Sequence, residues 1–107
     1  MGIMPTLEES LPKSVAVLGR TVYVTVKKIE PDAEGETLGH TSLSLDQIVI
    51  DPNQSYESGI ETFYHELAHV MLTLSGLDYV IPKHVELFAQ SLGLAMRNTT
   101  FNGGLLK

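Results

Sequence analysis

The segment from Ser55 to Ser75 most narrows what this chain can become. Ile60, Phe63, Tyr64, Leu67, Val70, Met71 and Leu74 recur at helical spacing and gather on one arc, so the spacing predicts a helix with one side committed to a core. Ser58 with Glu61 three residues on fits a capping box, Ser55 is an equal candidate for the start, and Gly76 supplies the stop. The opposite arc presents His65, Glu66 and His69, with Thr62 and Thr73 beside them. At about 100° per residue the two imidazoles stand one turn and about 40° apart, with Glu66 about 100° from His65. Both rings then reach a single ion at ~2.0–2.1 Å from nitrogen. Glu66 flanks an open coordination position, placed to take the proton of a water acidified there. A merely solvated face would carry spaced Lys, Arg, Gln and Glu. This one has no Lys or Arg and holds two of the chain's four histidines within five positions.

Two imidazoles do not complete a zinc site; a third protein ligand is expected, with water in the fourth position. Asp78, His84 and Glu86 are the candidates downstream. Pro82 suits the first turn of a second helix running to about Arg97, with Val85, Phe88, Ala89, Leu92 and Met96 as its apolar stripe. On that helix His84 lies about 160° from Glu86, so both cannot serve one ion. Ala89 and Gly93 follow Glu86 at +3 and +7 and are small enough to let the two helices approach closely, which favours Glu86. His84 then caps, packs or lines the cleft, and Asp78, on the connecting loop, is the substitute ligand. Tyr64 and Tyr79 carry the hydroxyls considered for a tetrahedral oxyanion; Tyr64 falls on the apolar arc and Tyr79 on the connection. His40 is a lone loop histidine with no assigned role.

The remainder of the chain reads as extended structure ahead of the helices. Thr21 to Ile29 alternates Val22, Val24 and Val26 with Tyr23, Thr25 and Lys27, the period of a half-buried strand. Glu30 to Glu36 is an acidic turn. Thr41 to Ile50 slips phase between Leu43/Leu45 and Ile48/Ile50, so a bulge or tight turn near Asp46-Gln47 splits it into two short strands, and Pro52 ends the extended region. Residues 1–14 hold a short helix or stay loose, and the tail from Asn98 frays. One domain accounts for all 107 residues.

Charge and composition exclude several function classes. Seven Lys and Arg stand against thirteen Asp and Glu, and between Lys28 and Lys83 there are ten acids and no Lys or Arg. Such a surface repels phosphate backbones and anionic lipid and favours cations, so neither a nucleic-acid nor a membrane partner is expected. Without cysteine there are no disulfides and no thiolate ligands, which fits a reducing compartment. With no secretion-signal pattern at Met1–Pro5 and no long apolar run, a cytoplasmic protein is expected.

The stretches IVID (48–51), IETFYHELAHVMLTLSGL (60–77) and VELFAQSLGLAM (85–96) resemble small zincin-like metallopeptidases encoded by phages and prophages, and are more loosely similar to the ImmA/IrrE type. The resemblance covers roughly residues 20–97. It implies an α+β domain with a minimal zincin-like fold: a small mixed or antiparallel sheet packed on the H-E-x-x-H helix, followed by a glutamate helix. It also implies Zn2+ as cofactor, His65, His69 and Glu86 as metal ligands and Glu66 as catalytic general base. A peptide or protein substrate would pair with an edge strand over Gln47–Ile50 bordering the cleft. For a phage-encoded protein the location would be the host cytoplasm. Three functions are thereby set against one another: a zinc-dependent peptidase-like hydrolase, a zinc-stabilised non-catalytic binding or regulatory module, and a metal-free interaction domain in which the histidine pair is accidental.

Overall fold

A computed structural model describes residues 5–31, 37–80 and 82–103. The chain is a compact α+β fold in which a four-stranded mixed sheet carries helix α2 (Tyr56–Leu74) on one face and α4 (Val85–Gly103) packs against α2. Among the described residues no helix is long and apolar enough to cross a membrane. Of the acidic turn expected over 30–36, residues 32–36 lie outside the described residues, as does the end of the tail from 104 to 107.

A short helix, α1 (Leu7–Ser10), opens the described chain. Thr6 caps it reciprocally with Glu9: Thr6 Oγ1 accepts the Glu9 N–H at 3.1 Å and the Glu9 carboxylate accepts the Thr6 N–H at 2.8 Å. Leu7 anchors α1 on α2, lying so close to Gly59 that a Cβ there would collide with Leu7 Cδ2.

Strands β1 (Ser14–Val17) and β2 (Arg20–Val26) form an antiparallel hairpin closed by Leu18 and Gly19, both at positive φ (50° and 80°). Two consecutive left-handed residues give the twist that a two-residue hairpin needs. The phase slip at 43–46 is a turn: β3 (Gly39–Ser42) and β4 (Gln47–Ile50) pair antiparallel across Leu43–Asp46. Asp46 takes a left-handed φ of 51°, and Arg20 donates to its carboxylate and to the Leu43 carbonyl, tying this turn to the first hairpin.

The strand order is β1-β2-β4-β3, with β4 parallel to β2. This corrects the expectation that Gln47–Ile50 is an edge strand. Ile48, Val49 and Ile50 are all buried, as suits a strand with neighbours on both sides, and the edge beyond it is β3. Asp51 closes the sheet end, accepting the Ile29 N–H at 2.9 Å and the Asn53 N–H at 2.7 Å; these two bonds hold its carboxyl below the ordinary aspartate value.

Ser55, not Ser58, caps α2, accepting the Ser58 N–H at 3.1 Å; the helix stops at Gly76, whose φ of +79° favours glycine. Ile60, Phe63, Tyr64, Leu67 and Val70 pack onto Val22, Ile48 and Ile50 of the sheet. The connection holds a further short helix, α3 (Leu77–Val80), and a 3₁₀ turn at Pro82–His84. Helix α4 continues to Gly103, beyond the expected end near Arg97. Its contact with α2 is made by Ala89, Leu92 and Met96, whereas Phe88, placed in the same stripe by sequence, is 50% exposed.

Candidate metal centre

Helix α2 places His65 and His69 one turn apart, their rings edge to face with centroids 4.9 Å apart. Glu86, in the first turn of α4, reaches across the helix pair to both. One carboxylate oxygen lies 3.2 Å from His65 Nε2 and the other 2.7 Å from His69 Nε2. The three ligand atoms all fall within 4.8 Å of one another, and this is the candidate metal-holding group among the described residues. The imidazoles are half-buried, while the Glu86 side chain is 76% exposed, so the group opens to solvent from the α4 side.

Close helix approach makes this possible. A Cβ on Gly93 would lie 3.0 Å from His65 N, His65 Cα and the Tyr64 carbonyl oxygen, all backbone. Ala89, one turn earlier on α4, is fully buried against Ala68 and Leu72. Two turns of α4 therefore have little or no side chain facing α2, and Glu86 is carried in on the same helix. Arg97 pairs with Glu57 farther along and clamps α4 to the start of α2.

Glu66 is buried (9% exposed), and its carboxylate oxygen Oε1 accepts a hydrogen bond from Thr41 Oγ1 at 2.8 Å. Thr41 sits on edge strand β3 opposite Ile48, a core residue, so its side chain shares the α2 face of the sheet. Gly39, two residues earlier on the same face, brings β3 hard against α2: a Cβ there would meet Thr62 Cγ2 at 2.5 Å and Glu66 Cγ at 3.3 Å. Glycines on β3 and α4 thus bring the backbone close to the His65–Glu66 turn from two sides. Sequence reading gave no warning of Thr41. It lies 25 positions upstream in an unremarkable Ser/Thr run, and only the placement of β3 at the sheet edge brings it to Glu66.

Two hollows meet here. One, of about 500 Å³, runs from His65 and Glu66 toward the start of α2; the other, of about 470 Å³, runs past His69 and Glu86 along β3. Gly39 and Glu66 line both, and among the described residues no Lys or Arg lines either. The donor set suits zinc, which takes two imidazoles and a carboxylate with a fourth position left to water. Bonds of ~2.1 Å in a tetrahedron separate ligand atoms by about 3.4 Å. That is near the His65–Glu86 spacing and wider than the hydrogen-bond spacing of His69–Glu86.

The other candidates lie apart. Asp78, on α3, and His84, exposed in the 3₁₀ turn, do not belong to the group. Tyr64 is core, edge to face with Phe63. Tyr79 is 90% exposed on α3 and lines neither hollow. His40, on β3, is exposed and outside the group. No protein-family model, curated protein or solved structure matches the chain.

Proposed function

We propose that this domain is a zinc-dependent, peptidase-like hydrolase with a minimal zincin-like arrangement, of the kind carried by phages and prophages and acting in the cytoplasm. The observation that carries this reading is the convergence of His65, His69 and Glu86 beside a buried Glu66 that is itself held from the edge strand. Bound by those three side chains, zinc supplies a Lewis acid that polarises a carbonyl and makes a water acidic near neutral pH. Glu66 takes the proton from the attacking water and passes it to the leaving amine. Thr41 fixes one carboxylate oxygen by hydrogen bond and so orients the carboxylate toward the hollow. An extended substrate pairs with the free edge of β3, in the role first expected of Gln47–Ile50, and main-chain hydrogen bonds give affinity with little side-chain selection.

One observation favours a second reading, a zinc-stabilised binding or regulatory module without turnover: neither tyrosine considered for an oxyanion reaches the hollows. Elemental analysis, chelator melts and a peptide-library screen separate the possibilities. The peptidase takes up one zinc per chain and cleaves, and Glu66→Gln keeps the zinc while abolishing cleavage. At a free zinc concentration of 100 Kd, bound metal adds about 2.7 kcal/mol, so chelation lowers Tm by roughly 10–20 °C. Zinc uptake and that loss of stability with no cleavage of any peptide favour the module. Protein that takes up no zinc refutes both and leaves a metal-free interaction domain.

A further inference from the structure

The hollow on the His65 side has a feature the proposed chemistry does not use. Its floor is α2 and its walls are β3 and α4, and among the described residues the charged side chain lining it besides His65 and Glu66 is Glu61. Glu61 stands one turn before His65 on the same helix face, exposed, with no hydrogen bond or ion pair among the described residues. The neighbouring hydroxyls are already engaged: Ser58 and Thr62 both donate to Gln54 Oε1, at 2.7 and 2.9 Å. Arg97, on the facing helix, is paired with Glu57. Leu38 and Leu94, 41% and 42% exposed, offer apolar wall on either side. A carboxylate with no cation of its own, between apolar walls, suits a long side chain that is greasy along its stem and positive at its tip.

We propose that Glu61 makes this hollow a subsite for a basic side chain, so that the cleft selects peptides with Lys or Arg adjoining the segment paired with β3. The inference rests on the reading of the cleft as a peptide site. Glu61 is outside the metal group, and its part is recognition alone. An ion pair this exposed contributes about fivefold in affinity at most, and added salt weakens it.

The test uses the zinc-loaded Glu66→Gln protein, which retains the ligands and the hollow but leaves substrate intact. It is titrated, by fluorescence anisotropy, with labelled hexapeptides differing only in Lys, Arg, norleucine or Glu at each position in turn. At one position Lys and Arg should bind about fivefold tighter than norleucine, and Glu more weakly than norleucine. Adding Glu61→Gln should remove the difference, and Glu61→Lys should transfer the preference to the Glu peptide, with norleucine affinity and zinc content unchanged. The advantage should shrink in about 1 M salt. Peptides that bind with the same ranking whatever stands at position 61 overturn the subsite and leave the peptide reading intact. Failure of every peptide to bind overturns both.

Discussion

Replacing Gly93 with alanine tests whether the helix contact builds the site. The new methyl would sit 3.0 Å from His65 N, His65 Cα and the Tyr64 carbonyl oxygen, and none of these can rotate aside. Ordinary carbon contacts lie near 3.5–4.0 Å, so α4 must retreat from α2 by about 0.5–1 Å. Glu86 stands seven positions earlier on that helix, about 10 Å along its axis, and moves with it. Metal–ligand distances tolerate only about 0.2 Å of error, so the retreat would disturb Glu86 as the proposed third ligand while both histidines, on α2, stay in place. Zinc affinity should fall about 10–100-fold, the range seen when a ligand's support is removed. Stability of the zinc-free protein should change less. Alanine gains about 0.8–1.0 kcal/mol of helix propensity over glycine, and overpacking costs about 1–3 kcal/mol, leaving it between unchanged and about 2 kcal/mol less stable. Competition with a chromophoric chelator reads the affinity, and urea melts of chelated protein read the stability. A Gly93→Ala protein that binds zinc as tightly as the parent and gains about 1 kcal/mol would refute the close approach as the device that delivers Glu86.

Two further expectations concern the scaffold. Asp51 has its carboxyl held below the usual aspartate range by the Ile29 and Asn53 N–H groups. Its contribution is therefore complete above the unfolded aspartate value and is lost as pH falls through the lower folded value; Asp51→Asn should weaken the protein near neutral pH and flatten the acid limb of stability in urea melts from about pH 6 down to about pH 2. Leu18 is a left-handed, largely exposed residue in a two-residue hairpin turn. Leu18→Asn should raise stability by about 1 kcal/mol, read as a shift in urea midpoint at unchanged m, because asparagine tolerates that conformation better than a branched apolar side chain.

The parts of the fold legible in sequence are those with a period of their own. Nineteen residues of α2 advertise a helix through one unbroken apolar arc, and the arc fixes which way His65, Glu66 and His69 point. The small pair Ala89 and Gly93 likewise signalled that α4 comes close, and the structure has both buried at the α2 contact. β1 was not legible, because four residues are too few to establish alternation and Leu18-Gly19 lacks the Asn-Gly or Asp-Gly signature of a tight hairpin. Phe88 falls outside the contact because a stripe drawn from hydrophobicity alone is too wide; α2 takes a narrow seam that includes Ala89, Leu92, Gly93 and Met96.

The error over the edge strand has a different cause, and it bears on function. Strand order depends on pairing between segments far apart in sequence, and the alternation of Ile48 and Ile50 says nothing about what lies beside them. Val49, apolar between those two, is the sign the sequence carries: three consecutive apolar residues, all buried in the fold, suit an interior strand better than a half-covered edge. With β4 interior, the sheet edge next to it is β3, whose Gly39 packs against α2 and whose Thr41 hydroxyl donates to the Glu66 carboxylate. Among the described residues this one short strand thus pairs on one side only, borders the cleft and also holds the proposed base. Anything that pairs with that edge or displaces it also bears on the orientation of Glu66, so in the proposed hydrolase substrate docking and proton-transfer geometry would be mechanically joined. On α2 alone, three side chains at the right spacing are a possible ligand pair and a nearby acid. The sheet edge and the approach of α4 complete the arrangement, and both depend on contacts that no local period records.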